Sequence, residues 1–154
     1  MTEYTLDTNI LVNMNRLYPE DIFPGLWGSL EDLVKAGRIC ICEEVLEELK
    51  RGGDELHSWA KGLQGFACPV SATEPPLVGQ ISRAHPGWVR GTTNAADPWL
   101  VAHALAHNRT IVTEERAAGH GVVDANQKVP NVAAEHGVDS MRFFDLARAE
   151  GWAF

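Results

Sequence analysis

A chain of 154 residues, 45% hydrophobic and 22% charged, has the composition of one ordinary globular domain, and a single domain over residues 1–154 is expected. No apolar run approaches the roughly 18 residues that span a bilayer. The N-terminus also lacks the basic start and apolar stretch of a secretion signal, so a cytosolic protein with no membrane partner is expected. The net charge of −8 argues against a surface that binds nucleic acid through bulk basicity. Carboxylates gathered around cations would supply several of those charges, however, so a metal-dependent nuclease stays open.

In chain order, "YTL" reads as a first strand ending at Asp7, and "NILVNMNRL" places Ile10, Leu11, Met14 and Leu17 at helical spacing. "PGLWGSLEDLVKAGR" is a second helix with a stripe of Leu26, Trp27, Leu30, Leu33 and Val34, ended by Gly37. "ICIC" is a second strand with Cys40 and Cys42 on one face, "EEVLEELKRGG" a third helix, and "DELHSWAKGL" a short fourth. The stretch from Phe66 to Thr93 is broken by prolines into strand or loop fragments around one helix near Leu77 to Ala84. "NAADPWLVAHALAHN" is a further helix, "RTIVT" the next strand, and "VPNVAAEHGV" a short helix. "SMRFF" is then a strand and "DLARAEGW" a last helix. Strands alternating with helices predict an α/β layer fold with a mainly parallel sheet. Ligands of such sheets bind beyond the carboxyl ends of the strands, where strand order reverses.

Asp7 follows the first strand, and Glu114 and Glu115 follow "TIVT", so both acidic groups fall at the same sheet edge. A bare carboxylate leaving a buried strand caps the next helix or holds something positive. Asp97 opens a helix at that edge and has the same two readings. In the third helix Val45, Leu46 and Leu49 mark the buried side at about 100° per residue. Glu43 and Glu48 flank it, Glu48 lying deeper, while Glu44 and Glu47 point to solvent. If Asp7, Glu48, Asp97 and Glu115 converge, their repulsion calls for cations, and oxygen donors in that number suit Mg²⁺ or Mn²⁺. One or two such ions would serve an in-line phosphodiester displacement without a nucleophilic side chain.

These residues carry a resemblance. "LDTNILV" resembles the opening motif of PIN-domain nucleases, in which the Asp is a metal ligand and the Asn orients the site. "ICEEVLEEL" resembles the second motif, whose acid falls on Glu48. "AADPWLVAHALAHNRTIVTEE" is similar to the third and fourth motifs, which fall on Asp97 and Glu115, with Thr113 in support. The resemblance runs from residue 4 to about 116. It implies a three-layer α/β/α sandwich and catalytic, metal-binding roles for Asp7, Glu48, Asp97 and Glu115. The fourth acid is usually Asp in that family, which leaves Glu114 as a substitute for Glu115. "FPGLWGSL", "KVPNVAAEHGV" and "EGWAF" are not general PIN features and resemble a small PIN-like subfamily. Lys128, Asn131 and Arg116 are candidate substrate contacts, with Lys50, Arg51 and Arg90 as further cationic candidates. The resemblance further implies an endoribonuclease leaving a 3′ hydroxyl and a 5′ phosphate. It extends to the toxin of a bacterial toxin–antitoxin pair, with RNA as substrate, an antitoxin as partner and a homodimer as assembly.

Other readings are weaker. "HALAH" sets His103 and His107 at zinc-protease spacing but lacks the Glu after the first His, so the polar side of an amphipathic helix is expected. No Cys-x-x-Cys pair occurs among the three cysteines, and buried structural thiols are expected rather than zinc ligands. Trp27, Trp59 and Trp99 fall where helix packing uses them. A phosphatase of the haloacid-dehalogenase type would need a second Asp two residues after Asp7, where Asn9 stands. A non-cleaving PIN-like module that docks RNA or protein is the remaining alternative, although all four acids are present.

Overall fold

The computed structural model describes residues 1–154. Five strands form one all-parallel sheet: β1 (Tyr4–Leu6), β2 (Ile39–Cys42), β3 (Ala67–Cys68), β4 (Thr110–Val112) and β5 (Ser140–Met141), in the order β3-β2-β1-β4-β5. Every residue of β1 and β2 is buried, as parallel strands covered on both faces require. The helices are α1 (Thr8–Leu17), α2 (Pro24–Lys35), α3 (Glu43–Leu49), α4 (Asp54–Gly62), α5 (Glu74–Ala84), α6 (Asp97–His107), α7 (Val129–Glu135) and α8 (Phe143–Ala149). Together they make the three-layer α/β/α sandwich expected from the sequence. None is long and apolar enough to cross a membrane.

The chain runs outward from β1 to β2 and β3, then returns across β1 to lay down β4 and β5. The strand order therefore reverses between β1 and β4. Tyr4, Thr5 and Leu6 pair with Thr110, Ile111 and Val112 on that side, while Tyr4 and Thr5 pair with Ile39 and Cys40 on the other. α6 lies along β1, β2 and β4 and packs against α5 and α7, while α1, α3 and α4 pack together and α2 rests on β2. Around the central strands the core is aliphatic, with Leu6, Leu11, Ile41, Leu100, Val101, Ile111 and Val112 fully buried, and Tyr4, Phe66 and Trp88 are its largest fully buried side chains.

Three sequence readings need correction. Phe143 and Phe144 begin α8 instead of extending a strand. The Asp145 carboxylate accepts from the Arg142 N–H at 3.1 Å, and this favours the helix start over continued pairing. The helix expected near Leu77 starts at Glu74, with prolines in its first turn. The "HALAH" helix is not amphipathic, because Leu100, Val101, Ala102, His103 and Ala104 are all buried beneath α5 and α7 or on the sheet. His103 is 1% exposed and its Nε2 lies 3.2 Å from Cys40 Sγ, so only His107 of that pair reaches solvent. Cys40 and Cys42 are buried as expected, and Cys68 is half-buried. Trp27 and Trp59 do serve packing, edge to face with centroids 4.9 Å apart.

Behind the sheet, Glu150 fastens the start of β1 and the lead into β2. Its carboxylate accepts from Arg38 Nη1 at 2.6 Å and Nη2 at 2.7 Å, and from the Tyr4 hydroxyl at 2.7 Å. The guanidinium holds the Glu150 carboxyl below the usual range. A depressed carboxylate adds stability above its unfolded pKa and loses it as pH falls through the folded value. Glu150→Gln should cost about 2 kcal/mol in urea unfolding at pH 7, and the deficit should shrink as the pH is lowered. An unchanged midpoint at pH 7 would show the fork to be dispensable.

Candidate active site

Asp7 sits where β1 ends, and its N–H still donates to the Val112 carbonyl at 2.9 Å, continuing the β1–β4 ladder. Both carboxylate oxygens are held. Oδ1 accepts from the Thr8 N–H at 2.7 Å and so caps α1. Oδ2 accepts from the Thr113 hydroxyl at 2.8 Å and from Asn9 Nδ2 at 3.3 Å. The cap reading of Asp7 is thus part of the geometry, alongside a second set of contacts that a cap does not need.

Thr113 and Asn9 form the brace behind this carboxylate. The Thr113 hydroxyl donates to Asp7 and accepts from Asn9 Nδ2 at 3.2 Å and from the Glu115 N–H at 3.1 Å. That uses its one donor and both acceptor positions. Asn9 Oδ1 accepts from the Glu114 N–H at 3.1 Å. The turn after β4 is therefore bound to the turn after β1, residue by residue, and Glu115 emerges from it towards Asp7.

Asp7, Glu48, Asp97 and Glu115 all line one cleft of about 430 Å³ at the carboxyl edge of the sheet. Glu48 comes from α3, which starts directly after β2, and Asp97 is the first residue of α6. No side chain caps α6. Glu114 turns away, accepting from Arg142 Nε at 3.1 Å, so Glu115 is the acid that faces the cleft. Glu115 Oε2 accepts from the Val129 N–H at the start of α7, at 2.8 Å, which fixes one of its oxygens. Within α3, Glu43 bonds the Val70 N–H at 3.0 Å and Glu47 pairs with Lys50 at 3.2 Å. Glu44, expected in solvent, is half-buried. No three of the cleft carboxylates bring oxygens within 4.8 Å of one another, so they border an open cleft rather than a closed cage.

The charge gathered here is expensive. Asp97, 9% exposed, is pushed up to about 8 by burial and then by the negative charges of Asp7, Glu115 and Glu48, with Lys128 opposing weakly. Asp7, 6% exposed, is pushed up to about 6 by burial and by Glu115 and Glu48. Its hydrogen bonds from Thr113 and Thr8 pull the other way.

Among the cationic candidates, Arg51 lines the cleft with Thr92 and Asn94. Asn94 has φ 60 and donates to the Trp88 carbonyl at 3.0 Å, a constrained turn that sequence reasoning did not single out. Its only trace in the sequence is the Gly-Thr-Thr-Asn run ahead of the helix. Arg116 lines a neighbouring cleft with Thr113, Glu115 and Arg142. Asn131 is taken up locally, accepting from the Ala118 N–H at 2.7 Å and donating to the Ala118 carbonyl at 3.0 Å.

A family model described as "Domain of unknown function (DUF4411)" matches residues 4–154. The chain belongs to the DUF4411 family. No curated protein sequence matches it significantly. Among solved structures it is similar to VapBC2 from Rickettsia felis bound to a DNA fragment from the promoter. Identity there is 21% and the TM-score 0.58, over 92% of this chain and 99% of that one. FitAB bound to the IR36 DNA fragment matches at 18% identity and TM-score 0.55, over 90% of this chain and 94% of that one. FitAcB from Neisseria gonorrhoeae matches at 17% and 0.53, over 90% and 96%. At these identities the likeness establishes a shared, PIN-like fold for this DUF4411 chain.

The raised carboxyls set a pH dependence. A carboxyl whose folded pKa lies above its unfolded value keeps a proton that the unfolded chain has released. Stability therefore falls as pH climbs from the ordinary Asp value of 3.8 to about 8. In chelator, Asp97→Asn should be more stable than the parent at pH 8, by on the order of a few kcal/mol, with the gain vanishing near pH 4. Urea unfolding at the two pH values measures this, and a gain independent of pH would contradict it.

Proposed function

We propose that this protein is a Mg²⁺- or Mn²⁺-dependent endoribonuclease of the PIN class, the toxin of a toxin–antitoxin pair. The observation that carries the reading is the meeting of Asp7, Glu48, Asp97 and Glu115, from four separate elements, in one cleft. Evolvable surface charge does not require burial of Asp7 and Asp97. The likeness in fold to VapBC2 and FitAB supports the same reading and suggests an antitoxin partner for this chain.

The donor set fits a hard divalent cation. Carboxylates that raise one another's pKa lack a counter-charge, and only Arg51 brings a cationic side chain to the cleft lining. Asp7, Glu48, Asp97 and Glu115 would hold one or two ions, which when bound supply Lewis-acid stabilisation and a more acidic water. The chain's own residues do the positioning. Thr113 and Asn9 fix the Asp7 rotamer, and the α7 N-terminus fixes Glu115. Asp7 and Asp97 face the same cleft, so a water held between them would lie beside the ions, and the proton it loses would leave to solvent through the open cleft. Arg51 at the cleft lining and Lys128, whose charge reaches Asp97, would meet backbone phosphates and offset the acidic field that repels RNA.

Purified protein should cleave single-stranded RNA in Mg²⁺ or Mn²⁺, leaving 5′ phosphates. Asp7→Asn should abolish cleavage while circular dichroism shows an intact fold, and Thr113→Val should slow it about 10- to 100-fold. Cleavage by the folded Asp7→Asn variant, or in excess chelator, would overturn the proposal. Calorimetric Mn²⁺ binding without cleavage of any RNA would leave a docking module in its place.

A further inference from the structure

Two of the three cysteines and one of the six histidines meet outside the lining of the carboxylate cleft. In the parallel pairing of β2 with β3, Cys42 stands opposite Cys68, so the two side chains share a face. Cys40, two residues before Cys42, is on that face too, and α6 covers it. Cys40 Sγ, Cys68 Sγ and a His103 nitrogen lie within 4.8 Å of one another. Tetrahedral zinc with sulfur bonds of about 2.3 Å and nitrogen bonds of about 2.0 Å sets its ligands roughly 3.5 to 3.8 Å apart, within that compass.

The far side of His103 supplies an independent observation. Its Nε2 is the nitrogen turned to Cys40, at 3.2 Å. Its Nδ1 is buried, makes no hydrogen bond, and lies 3.5 Å from Oε1 of Glu74, which is itself 1% exposed. Glu74 is anchored in turn, accepting from the Ser71 N–H at 2.7 Å with His107 Nε2 at 3.4 Å. A carboxylate behind the remote nitrogen of a histidine is the usual support of a metal-binding imidazole, since it fixes the tautomer that leaves the other nitrogen free. The Ser71 and His107 contacts both fall on Oε2, so Oε1 is the oxygen left facing the unpartnered Nδ1 of His103.

We propose that Cys40, Cys68 and His103 bind a thiophilic transition-metal ion of the zinc class, with Glu74 orienting His103. Two thiolates and a neutral imidazole balance the charge of a divalent ion, and binding releases the two thiol protons to solvent. A soft donor set of this kind discriminates against Mg²⁺ and Mn²⁺, so it is chemically distinct from the carboxylate cleft. β3 is an edge strand and Cys68 is only half-buried, which gives the ion a route in. The ion would tie the sheet edge to α6, six residues along from Asp97, about 9 Å by helical rise.

The test is titration of the reduced, full-length protein with Co²⁺, then displacement by Zn²⁺. A strong thiolate-to-cobalt absorption band saturating at one equivalent, and bleached by Zn²⁺, is expected. Cys68→Ser, at the half-buried edge, should lose the band while circular dichroism stays unchanged. Glu74→Gln should keep the band but weaken Zn²⁺ affinity about 10- to 100-fold. Asp7→Asn should leave the band intact, which separates this site from the carboxylate cleft. Absence of the band in folded wild-type protein, its survival in Cys68→Ser, or its loss in Asp7→Asn would overturn the proposal.

Discussion

The hydrogen bond from the Thr113 hydroxyl to the Asp7 carboxylate, at 2.8 Å, is the contact on which the cleft depends. It is possible only because the chain doubles back across β1 and lays β4 beside it, bringing residues 106 positions apart to the same strand ends. A buried carboxylate without donors would be protonated or expelled. With Thr8, Asn9 and Thr113 supplying them, Asp7 stays in place and its orientation is shared with the turn that carries Glu115. One hydroxyl thus couples the fold's topological break to the direction of two acids.

The cleft is held against its own electrostatics by the core beneath it. α6 presents Asp97 at its first residue and buries Leu100, Val101, Ala102 and Ala104 behind it. Apolar burial of that size, about 1.5 to 3 kcal/mol for each large side chain, offsets the cost of setting Asp97 among three other carboxylates. The N-cap position is Ala96, which offers no side-chain acceptor, and the carboxylate one residue later faces the cleft. A local rule is broken at the position where the charge is concentrated, the pattern that functional sites impose on otherwise consistent folds.

Much of this was legible in the sequence for local reasons. Strand ends, glycine stops and the acids after "YTL" and "TIVT" each follow from a few neighbouring residues, and together they located the cleft edge. The choice of Glu115 over Glu114 was not legible, because it turns on Arg142 and on the α7 backbone, both remote in sequence. Phe143 and Phe144 misled through their strand propensity, which a helix-initiating carboxylate at Asp145 outweighs. The meeting of Cys68 with Cys40 and His103 was invisible for the same reason of distance. It depends on the register of a two-residue strand that no periodicity marks.

The brevity of β3 and β5, two residues each, has a consequence for association. They form the two rims of the sheet, so the unpaired backbone there is too short to template another strand. The rims therefore offer little backbone for strand addition. The large apolar side chains that stand clear of the fold lie elsewhere, and Leu17, Ile22, Phe144 and Phe154 each leave more than half their surface uncovered.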